Sequence, residues 1–145
     1  MPSDRLPSCY ELEQAARLAV QNSYCPYSGF AVGAALLTGQ GLIVTGCNIE
    51  NASYGLTLCA ERVALARAVA DGHRHFTELL LFTPTMTPVP PCGACLQMLA
   101  EFAPQLRITA LCDGGTRLVG SLPDFLPHAF VSSKGPWPQP SSQGR

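Results

Sequence analysis

Short apolar runs alternate along the chain with Gly, Pro and Asn breaks, and the period of each run predicts an element. Residues 9–22 carry Leu12, Ala15, Ala16, Ala19 and Val20 at helical spacing, the stripe of an amphipathic helix. Ser8, with Glu11 three residues later, forms a capping-box pattern that opens this helix. The stretch from Tyr24 to Gly29 ends it and starts a loop. Residues 30–37 and 42–48 read as two strands of a hairpin, joined by Thr38-Gly39-Gln40-Gly41. Residues 49–58 have few apolar anchors and predict a loop, whose position makes it a candidate pocket wall.

Residues 59–70 are apolar almost all round and predict an interior helix ended by Asp71-Gly72. A strand over 76–83, a Pro-rich loop over 84–91 and a second apolar helix over 93–102 follow. Residues 106–112 and 117–119 predict two more strands about the Asp113-Gly114-Gly115 turn, and 122–130 a short helix and loop. Strands alternating with helices after an initial hairpin imply an α/β fold, a mixed β-sheet sandwiched by helices. The expected organisation is a single domain over 1–131 with a Pro/Ser/Gly-rich C-terminal tail over 132–145, disordered in part.

Composition narrows the function. The net charge is −1, the single lysine is Lys134, and the eight arginines are scattered. No basic stripe exists to follow a phosphate backbone, so no nucleic-acid partner is expected and a small, nearly neutral substrate fits better. Only 13% of residues are charged against 47% apolar, which leaves part of the surface for other subunits to cover. No apolar run approaches the roughly 20 residues of a membrane helix, so no membrane partner is expected. Seven cysteines, an odd number, without a signal-like N-terminus, predict a cytoplasmic protein with free or metal-bound thiols.

Two stretches carry the candidate chemistry: Cys59-Ala60-Glu61 and Pro91-Cys92-Gly93-Ala94-Cys95. Cys92 and Cys95 at i and i+3 point to one side of a first helical turn, and Cys59 would approach from the other helix start. Three thiolates suit Zn²⁺ with an open fourth position, the pattern of a catalytic rather than a structural site. Helix N-termini favour these anions. Arg62 is placed to donate hydrogen bonds to the sulfurs from a second layer. Glu61 beside a ligand is a proton carrier between the attacking water, a ring nitrogen and a leaving amine: hydrolytic deamination. Cys9, Cys25, Cys47 and Cys112 read as buried apolar thiols.

Ligand-x-Glu followed by Pro-Cys-x-x-Cys is the signature of zinc nucleobase deaminases. With Cys25-Pro26-Tyr27-Ser28, Phe30 to Ala35, Gly46 to Ala52 and Cys59 to Arg62, the chain resembles the small, homotetrameric cytidine deaminases of the free-nucleoside class. The resemblance implies a three-layer α/β/α fold and one Zn²⁺ per subunit on Cys59, Cys92 and Cys95. It implies catalysis by Glu61, with cytidine and deoxycytidine converted to uridine and deoxyuridine in pyrimidine salvage. It assigns Asn48 and Glu50 to the ribose hydroxyls, and a carboxylate there would repel a nucleotide's phosphate. Phe30 matches the aromatic that packs on the pyrimidine, and Ala60 joins the substrate-contacting set. Ala52 and Tyr54 lie in the loop that reaches a neighbouring subunit's pocket, and Phe130 matches a C-terminal aromatic that caps it, giving composite sites. Leu96 stands where an Arg is frequent, which leaves more of the counter-charge to Arg62. The competing readings are a deaminase of another aminopyrimidine nucleoside and a zinc-stabilised, non-catalytic binding module.

Overall fold

In the computed structural model, which describes residues 5–138, four helices and five strands follow in chain order. Helix α1 (Cys9–Ala19) opens on the expected capping box: the Glu11 amide donates to Ser8 Oγ at 3.3 Å, and the Ser8 amide donates to the Glu11 carboxylate at 2.6 Å. A 3-10 turn at Val20–Asn22 continues it. The hairpin is β1 (Gly33–Thr38) and β2 (Ile43–Cys47). Helix α2 (Ala60–Ala70), β3 (Phe76–Thr83), α3 (Gly93–Phe102), β4 (Arg107–Cys112), β5 (Leu118–Ser121) and α4 (Leu122–Phe125) complete the order. The 49–58 segment is a loop holding a single 3-10 turn, Tyr54–Leu56. A second capping box at α4, with the Ser121 amide on the Asp124 carboxylate at 2.8 Å, is a signal that the sequence reading missed.

The sheet order is β2-β1-β3-β4-β5. The β3–β4 pair is parallel and every other pair antiparallel, so the sheet is mixed as expected. A parallel pair needs a crossover, and α3 supplies it. Side chains alternate across the strands and build a core on each face. Ala35, Leu37, Leu80, Phe82 and Leu111 meet Leu12 and Ala16 of α1 on one side. Ala34, Leu36, Leu79, Leu81, Ile108 and Ala110 meet α2 and α3 on the other. The result is three layers, α/β/α.

Strand β1 begins at Gly33 rather than at Phe30, because the Phe30–Val32 backbone bonds the Asn48 side chain instead of a strand. Helix α2 is not interior all round. Ala60, Glu61, Ala64, Leu65 and Ala68 are buried, whereas Ala66, Arg67 and Ala70 are exposed. The sheet covers only one face, and alanines on the other cost little to leave in water. Of the four cysteines expected in the core, Cys112 alone is buried. Cys9 is exposed, and Cys25 and Cys47 are half-buried. Within the expected tail, the Trp137 amide donates to the Glu101 carbonyl at 2.7 Å; residues 139–145 lie outside the described range.

Two glycines bring the layers together. A Cβ at Gly33 would lie 2.2 Å from the Ala16 carbonyl oxygen, and one at Gly46 would lie 2.3 Å from the Ala60 carbonyl oxygen. Each helix therefore sits on the sheet at backbone distance. Gly46→Ala must push the first turn of α2 outward and is expected to cost on the order of 3 kcal/mol in denaturant unfolding. Gly55→Ala, where a Cβ meets nothing within 4 Å, is the control and leaves the midpoint unchanged.

Candidate metal centre and pocket

The N-termini of α2 and α3 converge. Cys59 and Cys92 are their N-cap residues, both with extended backbone, and Cys95 lies in the first turn of α3. The Pro90-Pro91 pair keeps the preceding chain out of the helical region, so α3 starts where Cys92 can face Cys59. The three sulfurs lie within 4.8 Å of one another, and Cys92 Sγ is 3.4 Å from Cys95 Sγ. Sulfurs at the corners of a tetrahedron about Zn²⁺, each about 2.3 Å from it, stand about 3.8 Å apart. The donor set therefore fits a zinc ion, with three thiolates and a fourth position left open. A Cys-x-x-Cys redox pair would leave Cys59 without a purpose.

Electrostatics favour the anionic form of Cys59. A hydrogen bond from Cys95, joined by the Arg62 guanidinium, draws the Cys59 thiol down to about 5. The Cys95 thiol is pushed up, by its bond to ionised Cys59 and by burial, so Cys59 ionises first. Arg62 Nη2 lies 3.6 Å from Cys59 Sγ and also donates to the Thr57 carbonyl at 3.0 Å, which locks the guanidinium beside the sulfur. Leu96, in α3, is buried in the core that α2 and α3 build against the sheet.

Glu61 is 5% exposed on the first turn of α2. Burial raises its carboxyl to about 7, and the ionised Cys59 nearby adds to the rise. It lines a cavity of about 280 Å³ together with Cys59, Ala60 and Cys92. That volume is near the small end for ligand pockets. Phe30, Val32, Asn48, Glu50, Leu58, Val89 and Pro90 form its other walls. One site thus joins the thiolates, a buried acid, an aromatic ring and two polar groups set 11 and 9 residues before Cys59.

Asn48 is buried and committed: its Oδ1 accepts from the Val32 amide at 2.9 Å, and its Nδ2 donates to the Phe30 carbonyl at 2.7 Å. It therefore anchors the segment carrying the ring while keeping one donor and one lone pair free. Glu50 accepts from the Tyr27 and Ser28 amides at 3.0 and 3.1 Å and from the Ser28 hydroxyl. The Ser28 bonds, led by its hydroxyl, hold this carboxyl below its usual range.

Three expected residues do not join this cavity. Ala52 and Tyr54 sit on the exposed loop, where Tyr54 meets Tyr27 edge to face at 6.0 Å. Phe130 is 77% exposed, yet its backbone is pinned, with Gln97 Nε2 donating to its carbonyl at 2.8 Å and its amide donating to Gln97 Oε1 at 3.0 Å. Sequence reasoning missed Ser28, Thr57 and Gln97, whose signal is only their position beside motif residues.

Fold and centre together define a zinc-binding α/β/α domain with a small pocket at the metal. Residues 9–110 match the family model described as the cytidine and deoxycytidylate deaminase zinc-binding region. The chain belongs to that family. It is 54% identical over 86 residues to the cytidine deaminase of Halalkalibacterium halodurans; the match covers 59% of this chain and 65% of that protein, just under two thirds of its length. It is 39% identical over 122 residues to the Mycobacterium tuberculosis cytidine deaminase, covering 79% of this chain and 84% of that one. The crystal structure of the Burkholderia pseudomallei cytidine deaminase superposes with a TM-score of 0.82 at 44% identity, over 86% of this chain and all of that one.

The raised acid has a measurable consequence in metal-free protein. Folding lifts the Glu61 pKa from 4.5 to about 7, so the folded chain holds this proton more tightly than the unfolded one. Its contribution to stability is intact below pH 4.5, falls as the pH rises, and levels off above about 7. The stability of Glu61→Gln relative to the parent should therefore rise by up to about 3 kcal/mol between pH 4 and pH 8 in chelator-treated denaturation series.

Proposed function

We propose that the protein hydrolyses cytidine and deoxycytidine to uridine and deoxyuridine with release of ammonia, serving pyrimidine salvage. The observation that carries this reading is the buried Glu61 carboxyl in the same small cavity as the Cys59 and Cys92 sulfurs. A zinc ion held by Cys59, Cys92 and Cys95 would lower the pKa of a bound water toward neutrality. Glu61 takes a proton from the attacking water, passes it to ring N3 as oxygen bonds to C4, and then carries the second proton from the new C4 hydroxyl to the amine, so that the C4–N4 bond breaks, ammonia leaves and the C4 carbonyl forms. Burial in the pocket favours the neutral carboxyl and so helps Glu61 hold the proton between the two transfers. Phe30 presents its ring to the pyrimidine, Ala60 lines the reacting end, and the Pro90 carbonyl is an acceptor for the amine. Asn48 and Glu50 take the sugar hydroxyls. Arg62 offsets the charge of the thiolates.

One domain over 1–131 carries the reaction, with 132–145 as an appended tail. The exposed Phe130, Ala52 and Tyr54 are read as complements to a neighbouring subunit's pocket, which makes the assembly a homotetramer with composite sites. All seven cysteines are unpaired, which suits the reducing cytoplasm. Among the described residues no helix is long and apolar enough to cross a membrane, and no membrane or nucleic-acid partner is proposed.

Ultraviolet-monitored cytidine turnover that stops with a zinc chelator and returns with zinc is the expected result. Glu61→Gln should keep its zinc and lose at least about a hundredfold in kcat. Near-full turnover by that variant with zinc bound would overturn the mechanism, and no ammonia from any cytosine nucleoside would favour a binding module. Composite sites have their own test. Co-refolding Glu61→Gln with Phe130→Ala should yield mixed assemblies more active than either variant alone, since some sites then receive both intact groups.

A further inference from the structure

The loop between α1 and β1 does more than close the fold. It hangs from the same backbone as the sugar-binding pair: the Tyr24 amide donates to the Asn48 carbonyl at 3.0 Å, and the Glu50 amide donates to the Tyr24 carbonyl at 2.8 Å. Beyond Tyr24 the chain turns back on itself, with the Gly29 amide on the Cys25 carbonyl at 2.9 Å. Gly29 has a φ of 68°, in the left-handed region that glycine reaches without strain. The turn aims the Tyr27 and Ser28 amides at one oxygen of Glu50.

Ser28 adds a third bond and a second wall. Its hydroxyl hydrogen goes to Glu50 Oε2 at 2.5 Å, while its oxygen accepts from the Phe30 amide at 3.0 Å. One hydroxyl thus ties the carboxylate to the backbone of the ring-bearing residue, and Ser28, Phe30 and Glu50 all line the cavity. Without this hydroxyl Glu50 keeps the two amides on Oε1 but loses the bond that fixes Oε2, which leaves the carboxylate more freedom to lose on binding a diol.

We propose that Ser28 is a positioning residue that presets Glu50 for the sugar hydroxyls, governing nucleoside affinity without taking part in the deamination step. This rests on the reading of Glu50 as a sugar-binding group. Charge-assisted bonds of this kind hold orientation strongly, and a carboxylate fixed before binding loses less freedom when the sugar arrives. The interaction is made equally in the ground and transition states, so its removal appears in KM rather than in kcat.

The test compares the parent, Ser28→Ala, Ser28→Thr and Glu50→Ala on cytidine and on 2′,3′-dideoxycytidine, which lacks both hydroxyls. Ser28→Ala should raise the KM for cytidine about tenfold with kcat within about twofold. The penalty should vanish on the dideoxy substrate, Ser28→Thr should restore the parent's KM, and Ser28→Ala should add nothing on top of Glu50→Ala. Equal losses on both substrates, or a fall in kcat alone, would make Ser28 a merely structural residue and overturn the proposal. A parent that does not turn over cytidine overturns the functional reading, and with it this one. A Glu50→Ala variant with unchanged KM overturns the assignment of Glu50. A raised KM in Glu50→Ala with none in Ser28→Ala overturns the role of Ser28 alone.

Discussion

Two helix N-termini must meet at one point for this site to exist. A single helix start supplies Cys92 and Cys95, which is too few donors for a zinc centre, so α2 has to bring Cys59 alongside. The convergence follows from backbone packing rather than side-chain bulk. Gly46 lets the first turn of α2 sit directly on β2, and the β3–α3–β4 crossover lays α3 on the same face of the sheet. Cys59 and Cys92 stand at the positive dipole ends of these two starts, which favours thiolates there.

Neighbouring groups are pushed in opposite directions at this point, hydrogen bonds prevailing at Cys59 and burial at Glu61. Cys59 is helped into its anionic form by Cys95 and Arg62, whereas Glu61, buried in the first turn of the helix, is driven toward its neutral form. Environments that push neighbouring groups apart in this way suit the roles proposed for them, sulfur as ligand and carboxyl as proton carrier. Glu50 shows the contrast. At the open rim, held by three donors from the 25–30 loop, it stays a charged hydrogen-bond acceptor.

The pocket is open on its solvent side. Tyr54 and Phe130 project outward, and Phe130 does so from a backbone that Gln97 pins at two points. Pinning a loop while leaving a large ring in water is costly for a lone subunit, and it fits the proposed homotetramer, in which each ring closes a neighbour's site.

Much of this was legible in the residues. Apolar runs broken by Gly, Pro and Asn mark the strands and helices, the Ser8/Glu11 capping box places the start of α1, and Cys59-Ala60-Glu61 with Cys92 and Cys95 announces a metal and an acid. These are local signals, carried by neighbours in sequence. The half-exposure of α2 was not legible, because an alanine-rich helix shows no preferred face until a sheet covers one. Nor was the late start of β1, where a side-chain amide from Asn48 outcompetes a strand partner across 16 residues. Ser28 escaped for the same reason, since a serine gains its role only when a left-handed glycine turns it toward a carboxylate 22 residues away. The sequence by itself determined which chemistry is present; tertiary structure alone decided which groups share a wall, because hydrogen bonds and desolvation act through space and not along the chain.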